Sequence, residues 1–290
     1  MMSPIHTHFN FRYVLAFCAC LFCFLVSEGA INLSQGELAK RNLTPSQFEI
    51  EKQRQRLTSS EVEERRDALM RLAALRHPDA SRAAVSALHD AAAIVRATAS
   101  GVVQWLPAEE GAAALLPLLG DKDEFVRQEG AYALGRTKSR NAVTPLIERL
   151  VKDKKDGVRG AAAVALGQLA DQAAVVALAQ VLAAGTWSPD TKARKEKNVF
   201  VLRAVAGSLG EIGSPAALPT LLAALEDETT TDDVRREAAR ALGLIGDPAA
   251  QPTLRKMLSA RDPYLSHAAH EALRRISRRQ PVLPDSNLGG

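Results

Sequence analysis

From Glu61 onward the apolar positions fall in a recurring helical rhythm. Val158, Ala162, Ala165, Leu166 and Leu169 stand at i, i+4, i+7, i+8 and i+11, and Val234, Ala238, Ala241, Leu242 and Ile245 repeat that spacing. At 3.6 residues per turn these positions share one helical face. A break follows each run, as in Gly246-Asp247-Pro248 and Gly213-Ser214-Pro215, where Asp or Ser can cap and Pro can open a new helix. A second apolar pattern then runs through positions such as Ala217, Leu218, Leu221, Leu222 and Leu225. Each copy predicts a helical hairpin.

The copies align on one template. Phe125-Val-Arg-Gln-Glu-Gly-Ala-Tyr-Ala-Leu-Gly135, Gly157-Val-Arg-Gly-Ala-Ala-Ala-Val-Ala-Leu-Gly167 and Asp233-Val-Arg-Arg-Glu-Ala-Ala-Arg-Ala-Leu-Gly243 match column by column. The Arg column falls at 65, 96, 127, 159, 202 (Leu), 235 and 266 (Ser), so seven copies of about 31 residues span Glu61 to Arg279. One hairpin cannot bury both its faces, and neighbours must stack. The expected fold is all-α, a right-handed α-solenoid of stacked hairpins with two helix layers. The run Val-Arg-x-x-Ala-Ala-x-Ala-Leu-Gly resembles the short HEAT-like repeats of the bilin-lyase type. That resemblance covers about three quarters of the chain and implies a HEAT-like superhelix. It leaves function open, because the same repeat serves scaffolds, inhibitors, lyases and a hydroxylase.

Composition agrees with the pattern. Fifty Ala and 37 Leu supply strong helix formers while aromatics are 4%, which disfavours a sandwich or barrel. The 37 basic and 33 acidic residues give a net charge of only +4, too even a balance to imply nucleic acid or membrane binding without local clusters.

The ends depart from the repeat. Tyr13 to Val26 runs 14 residues without a charge, short of the roughly 20 that span a bilayer, and small residues at Ser27 and Gly29 suit cleavage before Ala30. Residues 1–29 are expected to be a signal peptide, sending the protein to the periplasm or outside the cell; an N-terminal membrane anchor is the alternative. Cys18, Cys20 and Cys23 all lie in this run, so the mature chain would carry no disulfide and no thiol chemistry. Residues 30–60 form a polar capping segment, in which Thr44-Pro-Ser-Gln47 starts a helix through Leu57. Residues 280–290, with two Pro and no period, are expected to be a disordered tail.

No residue pattern calls for catalysis, a metal or a cofactor. Asp before Val-Arg, as in Asp123/Arg127, Asp156/Arg159 and Asp232/Arg235, recurs in too many repeats to be a catalytic pair. It is expected to be structural, Asp at the helix N-terminus and Arg bridging to a neighbouring repeat. The iron hydroxylase of HEAT-like type carries repeated His-Glu pairs just after the Arg column; that position here reads Arg66-Asp67, Ala97-Thr98, Gln128-Glu129, Gly160-Ala161, Arg203-Ala204, Arg236-Glu237 and His267-Ala268. His267 and His270 share a face and read as surface residues on a terminal helix. An enzyme or lyase subunit using the same concave surface is the rival reading, and no residue matches a lyase site.

The 43-residue spacing between the fourth and fifth copies marks an insertion between Gly185 and Asn198 that carries Trp187, Lys192, Arg194, Lys195 and Lys197. The preceding loop on that edge holds Lys152, Lys154 and Lys155. Loops that interrupt a regular array commonly carry added function. The two are read as a basic contact patch anchored by Trp187, against solvated charge as the plain alternative. The seven aromatics after residue 30 are spread along the chain without a stacking platform, and export removes most nucleic acid from reach. The reading is an exported, non-catalytic protein-interaction scaffold whose partner is another protein, with an acidic surface as a further option, no nucleic acid and no stable transmembrane anchor.

Overall fold

The computed structural model describes residues 43–185 and 198–279. The apolar N-terminal run, the insertion and the C-terminal tail lie outside the described residues. The chain divides after Lys52 into two units. Helix α1 (Pro45–Arg56) begins in the first unit, and its last four residues belong to the second; it opens with a reciprocal cap in which Thr44 Oγ1 accepts from the Gln47 N–H at 3.2 Å and Gln47 Oε1 accepts from the Thr44 N–H at 3.0 Å.

The second unit carries the repeats. First helices are α2 (Val62–Leu75), α4 (Ala93–Val103), α6 (Glu124–Thr137), α8 (Asp156–Leu169), α10 (Val199–Ile212), α12 (Asp232–Ile245) and α14 (Pro263–Arg279). Second helices are α3 (Pro78–Ala84), α5 (Ala108–Leu115), α7 (Val143–Lys152), α9 (Val175–Gly185), α11 (Leu218–Glu226) and α13 (Gln251–Lys256). The last turn of α1 docks on α2, where Arg56 donates to Asp67 at 2.6 Å and to Glu64 at 3.4 Å. The hairpin expectation holds for six copies; the seventh shows only its first helix among the described residues. No helix of the described residues is long and apolar enough to cross a membrane.

The second helices of the third to sixth copies open with a short 3₁₀ turn, as helix N-termini often do. Asp247 caps as expected, accepting from the Ala249 N–H at 2.9 Å. Ser214 makes no side-chain cap; Pro215 alone opens its turn.

The core is Ala and Leu in alternation. Leu134, Leu166, Leu209 and Leu242 are fully buried, and Ala162, Ala165, Ala238 and Ala241 beside them admit close helix approach. The template Gly sets the spacing of the first helices. A Cβ on Gly210 would lie 2.7 Å from the Ala241 Cα, and one on Gly243 would lie 2.6 Å from the Ala272 Cα. Only hydrogen fits there.

Along one edge the arginine column forms a ladder, but with different acids from those the sequence suggested. Arg65 donates Nε and Nη2 to Asp90 at 2.7 and 2.8 Å, Arg96 to Asp121 at 2.8 and 2.8 Å, and Arg127 to Asp153 at 2.9 and 3.1 Å. Each acid opens the loop after the next second helix, so every fork joins two repeats. Asp123 instead caps α6 through the Phe125 and Val126 N–H groups. Arg159 and Arg235 reach Asp156 and Asp232 within their own helices, at 3.4 Å each, and Arg236 takes the crossing role with Asp262 at 2.6 Å. Arg65, Arg96 and Arg127 bridge to the neighbouring repeat as expected; of the three sequence pairs Asp123/Arg127 is replaced, while Asp156/Arg159 and Asp232/Arg235 persist as contacts within one helix.

Candidate functional site: the exposed face of the first helices

The residue just before the buried template Val or Leu is turned about 100° away from it and must face out. Ile94, Phe125, Phe200 and Tyr264 occupy that place and are 36%, 44%, 48% and 69% exposed, next to Val95, Val126, Val201 and Leu265, which are fully buried. Gly157 and Asp233 fill the column between them. The aromatics expected to be scattered therefore include three that share one register. Aligning the aromatic positions on the template would have shown this. Tyr264 is also covered on one side by the Arg236 guanidinium, 5.2 Å from its ring centroid.

A cleft of about 300 Å³ lies on this face between α8, α10 and α12, bordered by Val164, Phe200, Arg203, Gly207, Glu211 and Glu237. Two glycines of α8, seven residues apart, support two of its lining side chains. The Phe200 ring rests on Gly160, where a Cβ would fall inside the ring's own volume. The Glu211 carboxylate rests over Gly167, where a Cβ would come within 2.5 Å of Oε2. Between them Ser208 Oγ donates across the interface to the Ala163 carbonyl at 2.7 Å. Burial pushes the Glu211 carboxyl above its ordinary value; Lys138 pulls it down and Glu237 pushes it up further. On α6, burial likewise holds the Tyr132 phenol up and the Arg136 guanidinium down.

A second cleft, of about 270 Å³, adjoins it between α12 and α14 and shares Glu237. It contains His267, Glu271 and Arg275. His270 Nδ1 stands 3.9 Å from Glu271 Oε1 at the surface. Among the described residues no group of three or more His, Cys, Asp or Glu is arranged to hold a metal ion.

The basic edge expected from the sequence is described only in its first loop. Lys152 stands 3.3 Å from Glu148 and Lys155 2.6 Å from Glu124, so two of that loop's three lysines are already ion-paired. Lys154 is exposed. Trp187, Lys192, Arg194, Lys195 and Lys197 lie outside the described residues.

Stacked helical hairpins with an arginine–aspartate edge define an α-solenoid. The chain belongs to the HEAT repeat family: the family description "HEAT repeats" matches residues 50–135, 112–195 and 228–285, and "PBS lyase HEAT-like repeat" matches 201–227. Among solved structures, an engineered protein shares 21% identity over 79% of this chain and 68% of its own, with a TM-score of 0.50, a likeness of fold. The complex of CpcE and CpcF of phycocyanin lyase from Nostoc sp. PCC7120 aligns at 26% identity over 81% of this chain and 77% of its own, TM-score 0.44. Human deoxyhypusine hydroxylase in complex with glycerol aligns at 20% identity over 84% of this chain and 99% of its own, TM-score 0.39. No curated protein matches the chain.

Proposed function

We propose that the protein is a non-catalytic interaction scaffold that holds another protein along the exposed face of its first helices. The observation that carries this is the column Ile94, Phe125, Phe200 and Tyr264, large exposed apolar side chains at one register of four of the first helices. Exposed apolar groups scattered singly need no explanation, whereas a register of them along a rigid array supplies anchors for a partner. The HEAT repeat itself supports the reading, since a stack of this kind presents long continuous surfaces. Lys152, Lys154 and Lys155, with Trp187 and the insertion's cations, form a second contact edge within the same proposal.

Export belongs to this proposal too, on the strength of the charge-free run from Tyr13 to Val26 and the small residues at 27 and 29. N-terminal sequencing of native protein should begin at Ala30; an intact Met1 on soluble cytoplasmic protein removes the export claim.

The scaffold reading is tested by in-cell crosslinking and capture with the full chain and with a Phe125→Ser, Phe200→Ser, Tyr264→Ser variant that melts at a similar temperature. A protein retained by the parent and lost by the variant supports it. Identical captured sets overturn it.

A further inference from the structure

Three first helices carry an arginine two residues after the buried Val column or its equivalent: Arg66 in α2, Arg203 in α10 and Arg236 in α12. In two of them the acid one helical turn earlier neutralises it. Glu63 lies 2.8 Å from Arg66, and Asp233 lies 2.9 Å from Arg236. In α10 the position one turn earlier is Phe200. Arg203 accordingly has no ion pair among the described residues, and an exposed aromatic stands where its counter-ion would be.

The same strip of α10 continues through Gly207 to Glu211. Positions 200, 203, 207 and 211 lie on one helical face. Glu211 also has no ion pair among the described residues, and the charges facing it are Lys138 and Glu237. Glu237 is itself paired with Arg240 at 3.1 Å. The cleft thus presents an uncommitted cation at one end, an uncommitted anion at the other, and an apolar lining of Phe200, Val164 and Ala204, with the Glu237 side chain leaning over Gly207, where a Cβ would come within 3.3 Å of Oε1.

We propose that the α8–α10 cleft docks an extended peptide segment that presents an acidic side chain to Arg203, a basic side chain to Glu211, and an apolar side chain between them against Val164 and Ala204. The proposal rests on the scaffold reading and names the chemistry of the partner. Eight helical residues separate Arg203 from Glu211, about 12 Å along the axis at 1.5 Å per residue. Four residues of extended chain advance about 13 Å, and alternate side chains of such a segment point the same way. The occupant therefore has the form acid-x-apolar-x-base, or its reverse if it runs the other way. The charges complement, and neither docked charge has to break an internal ion pair at its own contact.

The probe is a displayed library of random 12-residue peptides, selected on the purified full chain. Enriched peptides are expected to carry an acid and a base four residues apart with an apolar residue midway. Their binding should fall about tenfold in Arg203→Glu or Glu211→Lys, as expected for loss of a close charge pair. Selection on Arg203→Glu should exchange the acid for a base, and selection on Glu211→Lys the base for an acid. Both substitutions are at exposed positions, and circular dichroism is the check that the variants fold. Peptides that lack this spacing, that bind both variants as tightly as the parent, or that fail to enrich over bare matrix overturn the site. Peptides lost only from a Lys152→Glu, Lys154→Glu, Lys155→Glu variant overturn it too and place docking on the basic edge. Those results leave the scaffold reading standing, because that reading falls only on the capture experiment.

Discussion

Arg96 grips Asp121 with two parallel hydrogen bonds of 2.8 Å, while the Asp121 Oδ1 also accepts the Asp123 N–H at 2.9 Å. A single carboxylate therefore fastens the helix behind it and shapes the loop ahead of it. The third Arg96 nitrogen, Nη1, donates to the Asp90 carbonyl at 2.8 Å and so ties back to the loop shaped by the preceding acid. The pairs are shielded: Arg127 and Asp153 side chains are 14% and 3% exposed. Bidentate geometry and shielding set these forks apart from surface ion pairs such as Lys152–Glu148.

Arg127→Ala should destabilise the fold by about 2 to 4 kcal/mol, because it takes the bidentate partner from the buried Asp153 carboxylate and leaves it the Lys155 N–H and Arg149 at 3.9 Å. Denaturant unfolding measures this. A loss no greater than that of an Arg71→Ala control, at an exposed ion pair, would show that the fork is not structural.

Acid should loosen the same edge. Burial pushes the Asp90 and Asp153 carboxyls up, and the guanidinium and loop N–H bonds outweigh it; at Asp121 the Arg96 bond leads. All three sit below the ordinary carboxylate value. A carboxyl depressed on folding stabilises fully above its unfolded value, about 3.9, and that stability is lost as pH falls through the folded values. Melting temperature should hold between pH 7 and 5 as far as these groups act and fall below about pH 4. Arg127→Ala should flatten the acid limb; an unchanged limb contradicts the assignment.

Two glycine substitutions should move stability in opposite directions. Gly101→Ala meets open space and should stabilise by about 0.5 to 1 kcal/mol through reduced chain entropy. Gly210→Ala drives a methyl group toward the Ala241 Cα and should cost about 1 to 3 kcal/mol despite the better helix propensity of Ala. Thermal melts of both variants give the comparison, and stabilisation by Gly210→Ala would disprove the close approach.

Leu166→Ala and Leu242→Ala should each cost about 2 to 5 kcal/mol, since both side chains are fully buried between helices. Because a repeat contacts chiefly its neighbours, hydrogen exchange should accelerate most in adjacent repeats. Uniform acceleration along the chain would argue against that.

The helices were legible because burial in a stacked hairpin has a local period, and Val158 through Leu169 or Val234 through Ile245 display it on one helix. The ladder was legible only by half. Arg127 stands out as a column, yet its partner Asp153 is 26 residues away, while the nearer Asp123 is spent on capping α6. Nothing in the spacing separates those two acids. The same holds for Phe200: its environment comes from Gly160 across an insertion, a contact that exists only once α8 and α10 are packed. Arg203 was visible in the aligned column as a residue without an acid one turn before it, but its significance depends on Glu211 and Val164 lying in the same cleft.

The carboxylates at 121 and 153 have a consequence for how such a chain can change. The second and third repeats each begin with an acid that receives from behind and end at an acid that receives from their own arginine. The segment from Lys122 to Asp153 thus carries a complete joint at its far end and accepts a standard joint at its near end. Copying it in tandem would seat the duplicate arginine on the duplicate aspartate without any new side chain being invented. Gene duplication within the array can therefore lengthen the exposed face of the first helices by one helix at a time, so that the length of the stack is open to selection separately from its fold.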